Sequence, residues 1–187
     1  MTKKWIFVLT LALPFLFSCT KSIVNYSSCV PINLSEKIAV IPFVNNTETP
    51  LADERAMSIT ASVLESKGIC HLAIYQNSMS GRVLFPGMNQ VQTRAALLKW
   101  ARRVHARYAM TGSVNEWTYK IGLDGEPVVG IALQLIDLKT ERVVWTAVGS
   151  SSRGSRIAVT TAAQELINSL LKGLYQTNCL RGKWNDK

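Results

Sequence analysis

Three stretches between residues 109 and 147 carry the alternation of apolar and polar positions that is typical of β-strands. They are Ala109–Ile121, Val128–Ile136 and Val143–Ala147, all rich in β-branched and aromatic side chains. Turn-forming residues separate them in Gly122–Pro127 and Asp137–Thr140. The pattern therefore predicts three consecutive antiparallel strands, which need helices to cover them.

Three other segments place apolar residues at helical spacing, at about residues 50–67, 91–105 and 155–175. The expected buried stripes are Ala52, Ala56, Ile59 and Val63 in the first, Ala95, Leu98, Ala101 and His105 in the second, and Val159, Ala163, Leu166, Leu170 and Leu174 in the third. Thr49 is the expected N-cap of the first helix, and Gly68 is expected to end it.

Two short apolar runs, Lys37–Val44 and Ile69–Tyr75, predict buried strands on either side of the first helix. Pro42 lacks a backbone donor and should therefore lie at an edge or a strand end. Cys70 is expected to be a buried free thiol, and Gln76–Met88 a mobile loop. The resulting order, β-α-β-α-β-β-β-α, predicts an α/β fold with a mixed β-sheet packed with three helices.

The first eighteen residues predict a lipoprotein signal peptide. Lys3 and Lys4 precede an apolar run that is too short for a comfortable bilayer span. The run ends in Leu-Phe-Ser-Cys19, which resembles the motif at which lipoproteins are cleaved and lipidated on the cysteine. An ordinary secretory signal or an N-terminal anchor is the alternative. Thr20 follows Cys19 where an aspartate usually retains lipoproteins in the inner membrane, so the outer membrane is expected.

The rest of the chain divides simply. Residues 19–35 are polar and lack periodicity, which predicts a lipidated tether. Residues 36–175 form one predicted α/β domain, and residues 176–187 a polar C-terminal tail in which Trp184 is exposed.

The formal charge of the chain is +9, and removal of Lys3 and Lys4 with the signal leaves +7. A basic chain can bind nucleic acid or anionic lipid head groups. Secretion favours lipid, and no nucleic-acid partner is expected. Four basic residues cluster on and just after the second predicted helix, where they form either a solvated face or a binding patch: Lys99, Arg102, Arg103 and Arg107.

Few residues suggest catalysis or metal binding. Cys29, Cys70 and Cys179 remain once Cys19 is lipidated, and their spacing with histidine fits no metal site. Cys29 and Cys179 could pair, which the sequence leaves open. The two histidines, His71 and His105, stand in no catalytic motif and are expected to be packed or solvated. No enzyme activity, metal or cofactor is expected.

Two segments resemble the PelC family of outer-membrane lipoproteins, which serves export of the exopolysaccharide Pel. They are KIAVIPFVNNTETPLADERAMSIT at Lys37–Thr60 and TGSVNEWTYKIGLDGEPVVGIALQLID at Thr111–Asp137. The resemblance covers about Lys37–Leu174, and Glu116–Pro127 is its most specific part. The first half is also similar to the wider group that holds the curli secretion lipoprotein CsgG and the synthase activator LpoB.

The resemblance implies a domain like the anticodon-binding α/β fold. It also implies a homo-oligomer, a dodecameric ring at the periplasmic face of the outer membrane, beside a PelB-like outer-membrane β-barrel. An acidic inner surface of the ring would guide the cationic polysaccharide toward the barrel. Asp124 is carried over as a pore-lining residue, and Glu126 and Glu116 are added from their charge alone. The alternative for Asp124 is a turn residue that caps its own backbone.

The loop Gly149–Arg156 departs from the family, because it lacks the aromatic residue that can enter lipid. Arg153 and Arg156 are predicted either to meet phosphates of the outer-membrane lipid or to be solvated. Trp117 and Trp145 are expected to pack in the core or at a subunit interface rather than to stack on sugar.

Three other functions remain to be weighed. An LpoB-like activator of a peptidoglycan synthase needs a long linker, and Thr20–Glu36 spans at most about 55–60 Å. A CsgG-like secretion lipoprotein that builds its own pore needs a sustained lipid-facing alternation, which residues 112–147 lack. A glycosidase needs two carboxyl groups that flank a sugar bond, and Asp124 and Glu126 lie in one turn.

Overall fold

The computed structural model of the protein describes residues 21–28, 30–76, 93–121 and 125–181, without the side chains of 21 and 176–181. Seven strands and three helices lie in this part of the chain. In chain order they are β1 Lys21–Ser28, β2 Ile38–Val40, β3 Val44–Asn45, α1 Ala52–Ser66, β4 Leu72–Ile74, α2 Arg94–Arg103, β5 Tyr108–Tyr119, β6 Pro127–Asp137, β7 Arg142–Ser152 and α3 Val159–Arg181.

The strands form one mixed sheet in the order β1-β7-β6-β5-β2-β4, and β3 pairs with the middle of β5, at Ser113 and Val114. The pairs β1–β7, β7–β6 and β6–β5 are antiparallel. β2 runs parallel to both β4 and β5, as a strand–helix–strand crossover requires. The expected α/β fold with a mixed sheet and three helices is confirmed.

The helices cover the two faces of the sheet unequally. α1 and α3 pack on one face, where the largest core contains Trp117, Trp145 and the fully buried Leu166. α2 packs on the other face over a smaller core around Ile41 and Ile136. The part of this second face that α2 does not cover is described below as the open face.

Most of the predicted elements are confirmed. The stripe of the third predicted helix lies in the core, where Ala163, Leu166, Leu170 and Leu174 are fully buried and Val159 packs beside them. Pro42 follows the end of β2, as expected. Gly68 ends α1 in the left-handed region, with φ 86°, and its N–H donates to the carbonyl of Glu65. Trp117 and Trp145 are buried in the core.

The predicted tether is wrong for Lys21–Ser28, which form the edge strand β1. This strand pairs along its whole length with β7, from Lys21 opposite Ser152 to Ser28 opposite Trp145. Its pairing uses the backbone, so a strand can form here without the apolar alternation that marks a buried one. Tyr26 lies against Gly173 of α3 on the covered side of the sheet.

The boundaries at the C-terminal half also need correction. The expected serine-rich loop Gly149–Arg156 is strand up to Ser152, because β7 continues along β1. The predicted C-terminal tail is helical as far as Arg181, where the described part of the chain ends. Trp184 lies beyond it.

Two details of the helices differ from expectation. The N-cap of α1 is Leu51, in a left-handed conformation, and not Thr49. Thr49 instead donates its hydroxyl to the carbonyl of Trp117, 2.5 Å away, and so ties the loop before α1 to β5. In α2 the buried residues are Leu97, Leu98 and Ala101, whereas Ala95 and His105 are exposed.

Cys70 is exposed and free, contrary to the prediction of a buried thiol. It precedes the short edge strand β4, and the neighbouring Ile69 takes the buried position instead. Cys29, the side chain of Cys179 and most of the predicted loop Gln76–Met88 lie outside the described residues, as do the signal peptide and Cys19.

Candidate functional site

Several elements meet at one end of the sheet, which we call the hairpin end. β5 ends there at Tyr119 and β6 begins there at Pro127. β7 ends beside them at Ser152, opposite the start of β1 at Lys21. α3 also starts here, since the backbone N–H of Val159 donates to the hydroxyl of Tyr119 at 3.1 Å. The candidate acidic and lipid-facing residues therefore share one end of the molecule.

Glu126 lies in the hairpin between β5 and β6, where a lysine pairs with it. Its carboxylate is 3.0 Å from Nζ of Lys120 and accepts a hydrogen bond from the hydroxyl of Ser152 at 3.2 Å. The ion pair with Lys120, helped by Ser152, lowers the pKa of Glu126. Glu126 is therefore ionised at neutral pH, but Lys120 balances much of its charge locally.

The negative charge of Glu116 is less balanced by nearby basic residues than that of Glu126. Glu116 is exposed at a bulge in β5, opposite Gly130 of β6, and makes no ion pair with the described residues. A Cβ at Gly130 would lie 3.3 Å from the Cβ and Oε2 of Glu116, so the glycine leaves room for this side chain. Asp124 lies outside the described residues, and Gly125 beside it has φ 49°, the left-handed region that suits a turn.

Arg153 and Arg156 differ in what they can contact. Nη2 of Arg153 lies 2.7 Å from Oε2 of Glu165 in α3, and the arginine side chain is only 15% exposed. Its Nε is buried without a hydrogen-bond partner among the described residues. Arg156 is exposed. Of the two predicted membrane-proximal arginines, only Arg156 is placed to reach an anionic ligand from outside.

Sequence reasoning missed an apolar residue at the hairpin end. Ile121 follows Lys120 just past the end of β5 and is fully exposed. Tyr119 beside it is 47% exposed. The sequence assigned Ile121 to the apolar alternation of the strand, and only the strand's end at Tyr119 leaves it in solvent.

The predicted basic cluster lies at the opposite end of the sheet and divides into two pairs. Arg107 forms a two-point ion pair with Asp137, and its Nη2 lies 2.8 Å from Oδ2. Arg102 pairs with Glu141 in the β6–β7 turn. Lys99 and Arg103 are exposed, with no ion pair to the described residues. Half of the cluster therefore has a structural role, and half is a solvated helix face.

No catalytic arrangement stands out in the described part of the chain. His71 and His105 are both exposed. No group of three or more histidine, cysteine or acidic residues could hold a metal ion in residues 21–28, 30–76, 93–121 and 125–181. None of the described helices is both long and apolar enough to span a membrane.

The open face is the part of the sheet opposite α1 and α3 that α2 leaves uncovered. Its residues alternate with the buried residues of the same strands. They are Ile23, Asn25, Ser27, Val44, Thr111, Ser113, Glu116, Thr118, Val128, Ala132, Gln134, Thr146, Val148 and Ser150. Where the face meets α2, a pocket of about 360 Å³ is lined by Val44, Leu97 and Ile136 among others.

Two solved structures are similar to the chain over most of its length. Both are of PelC dodecamers from Paraburkholderia phytofirmans, one of them of a point variant. The first is 36% identical, covers 82% of this chain and 97% of its own, and has a TM-score of 0.68. The second is 36% identical, covers 81% and 98%, and has a TM-score of 0.67.

A lipoprotein from Neisseria meningitidis shares the fold at 14% identity. The similarity covers 75% of this chain and 99% of that one, with a TM-score of 0.53. No family model and no curated protein matches the chain.

Proposed function

The chain belongs to the PelC family, and we propose on that basis that it is a non-catalytic outer-membrane lipoprotein whose copies form a ring. The ring lies at the periplasmic face of the membrane and guides a cationic exopolysaccharide, Pel, to a PelB-like export barrel. The observation that carries the proposal is the 36% identity to PelC proteins that are dodecamers, over nearly their full length.

Cys19 is the proposed point of lipid attachment, after removal of residues 1–18. It precedes Lys21, the first residue of β1, by two positions. Two residues of extended chain span about 7 Å, so the lipid would hold the hairpin end close to the membrane surface. Arg156 and Ile121 are exposed at this end, one suited to lipid phosphates and the other to the acyl boundary.

β1 also weighs against an activator that reaches across the periplasm. The segment expected to serve as a linker is largely bound to the sheet, from Lys21 to Ser28. What remains between Cys19 and β1 cannot extend the domain away from its membrane. A protein that acts beside its own anchor, as a ring subunit does, fits this arrangement better.

Acidic residues of the hairpin end would supply the attraction for the polymer. In a ring, each subunit repeats the carboxylates of Asp124 and Glu116, and the summed field concentrates a polycation without tight binding of any one sugar. Glu126 adds less, because Lys120 balances its charge. Asp124 remains the first candidate by family resemblance, and Glu116 the second by its exposure.

Charge reversal tests this role. A strain that lacks the protein and is complemented with Asp124→Lys should export about tenfold less polymer than one complemented with wild type, because each subunit then repels the polycation. Secreted polymer is measured, together with the mass of the detergent-extracted protein.

Glu65→Lys is the matched control, an equal reversal on the exposed face of α1 away from the hairpin. It should leave export unchanged. Full export by Asp124→Lys, from rings of normal mass, would contradict the guidance role. A wild-type protein that is monomeric after mild extraction would contradict the ring.

A further inference from the structure

We propose that the open face, apart from Glu116 at its hairpin end, is a subunit interface, covered in the assembled protein by a second copy of this chain. The inference rests on the proposed ring and names the surface that builds it. The neighbouring subunit would meet this face with a different surface of its own, because subunits of a ring larger than a dimer join head to tail.

The charge distribution on the open face supports this assignment. Glu116 is the one charged residue among these fourteen positions, and it lies toward the hairpin end, where Lys120 and Glu126 continue the same alternation. Arg94 of α2 borders the pocket beside the face. The charged side chains thus lie around the face and not in its middle. A free protein surface carries charge at roughly a quarter to a third of its positions, so about four charged residues would be expected here. Depletion of charge is characteristic of the buried centre of an interface.

Exposed apolar residues support it as well. Ile23 of β1 is 66% exposed, Val44 of β3 is 57% exposed and Val148 of β7 is 49% exposed. They stand on three different strands, among serine, threonine and asparagine side chains that can form hydrogen bonds across an interface. Such a mixture fits a protein partner better than the interior of a lipid bilayer, where each unpaired hydroxyl costs free energy.

The pocket at the border between the face and α2 gives a neighbouring subunit a place to insert a side chain. It has a volume of about 360 Å³ and is bounded by Arg94 and Leu97 of α2, by Val44 of β3 and by Ile136 of β6, so that one charged side chain lies at its edge. A pocket of this size admits one or two large side chains of a neighbour. Binding energy at protein interfaces concentrates where an anchor residue fills a desolvated pocket of this kind.

The size of the face agrees with this use. Five strands at about 4.8 Å spacing, with roughly six residues each at about 3.3 Å, cover an area of about 20 by 20 Å. A stable interface buries about 800 Å² on each partner. The open face therefore supplies roughly half of this area as flat surface. Side-chain relief and the adjoining part of α2 can supply the rest.

A charge placed in the centre of the face tests the inference. Val148→Glu would bury an unpaired carboxylate at the interface, which should weaken assembly by about tenfold or more per contact. The full-length lipidated protein is extracted in mild detergent, and its mass is measured across a dilution series. The wild type is expected to remain a ring at concentrations where the variant is a folded monomer.

Two further variants make the result decisive. Ile23→Glu places the same charge on β1 at the edge of the face and should also release monomers. Thr140→Glu places it on the exposed β6–β7 turn, off the face, and should leave the ring intact. The inference is overturned if both face variants stay rings beside a wild-type ring, or if Thr140→Glu releases monomers equally. A monomeric wild type would instead remove the proposed ring itself.

Discussion

Arg107 and Asp137 join three strands at the end of the sheet away from the hairpin end. Arg107 precedes β5 and donates its backbone N–H to Lys37 before β2, while Asp137 ends β6. The Asp137 carboxylate also accepts hydrogen bonds from the backbone N–H groups of Lys139 and Thr140. One half-buried pair therefore fixes both the start of β5 and the β6–β7 turn.

Replacement of this carboxylate should lower stability in a pH-dependent way. The Arg107 guanidinium, with the N–H groups of the turn, holds the pKa of Asp137 at about 2, below its ordinary 3.8. The folded state thus favours the ionised form. Its contribution is present above about pH 4 and is lost as the pH falls toward 2. Asp137→Asn should lower the free energy of unfolding by about 2 kcal/mol at pH 7.

Denaturant titrations between pH 2 and pH 7 check this, and the difference between wild type and Asp137→Asn should shrink toward pH 2. Glu141→Gln is the control, because the pair of Glu141 with Arg102 is exposed and should contribute less than about 1 kcal/mol. Equal effects of the two substitutions would contradict the role given to Asp137.

Single residues also mark where sequence reasoning fails. The sequence around Arg153 is a serine-rich loop, which suggests a solvated basic residue. In the structure, Arg153 forms an ion pair with Glu165, twelve positions later in α3. Cys70 has apolar neighbours in sequence but stands at the sheet edge, in solvent. Both outcomes depend on tertiary neighbours that no local pattern contains.

At the scale of elements, β1 depends on a close approach to α3. The ring of Tyr26 lies so near Gly173 that a Cβ there would be 2.3 Å from the ring. In an ordinary exposed helix position, replacing glycine by alanine adds about 1 kcal/mol of stability. Here the added methyl group must displace Tyr26.

Gly173→Ala should therefore loosen β1 instead of stabilising the helix. Amide hydrogen exchange of Lys21–Ser28 should speed up about tenfold, since the strand loses the packing of Tyr26. Combining it with Tyr26→Ala removes the clash, and the double variant should exchange no faster than Tyr26→Ala alone. Exchange unchanged by Gly173→Ala would mean that Tyr26 does not hold the strand.

The elements that the sequence predicted and those that it missed differ in how far apart in sequence the stabilising residues lie. Buried strands and helices such as β6 and α3 leave an apolar period that is visible locally. β1 and the last residues of β7 stabilise each other through backbone pairing over more than a hundred positions of sequence. The cap of α1 was missed for the same reason, because Thr49 bonds to Trp117 on β5.

At the scale of the whole molecule, the open face and the hairpin end divide two tasks. Apart from Glu116, where it meets the hairpin end, the open face carries no charged residue and suits contact between copies. The hairpin end carries Glu116, Lys120 and Glu126 beside the start of β1, so charge and proposed anchor are close together. Sequence patterns predicted the candidate residues but not this division, which follows from the register of the strands.

Replacement of Cys19, the proposed lipidation site, should abolish membrane attachment without affecting folding. Cys19→Ser removes the thiol that lipidation requires, so the protein should move from the membrane to the soluble fraction and polymer export should fall at least tenfold. Cys70→Ser, which changes an exposed free thiol within the domain, should leave both unchanged. Fractionation and export assays read the two outcomes. Retention of Cys19→Ser in the membrane would argue against this anchor.

The register of β1 determines how a load on the anchor would enter the protein. The proposed lipid at Cys19 would load Lys21, the first residue of β1, and β1 runs away from that point, antiparallel to β7. The hydrogen bonds of the pair lie across this direction. The force would then be shared by the whole ladder in shear, instead of opening the bonds one after another from the end. A domain tethered in this way should stay folded under the drag of a passing polymer for longer than one whose anchor strand is pulled away one hydrogen bond at a time.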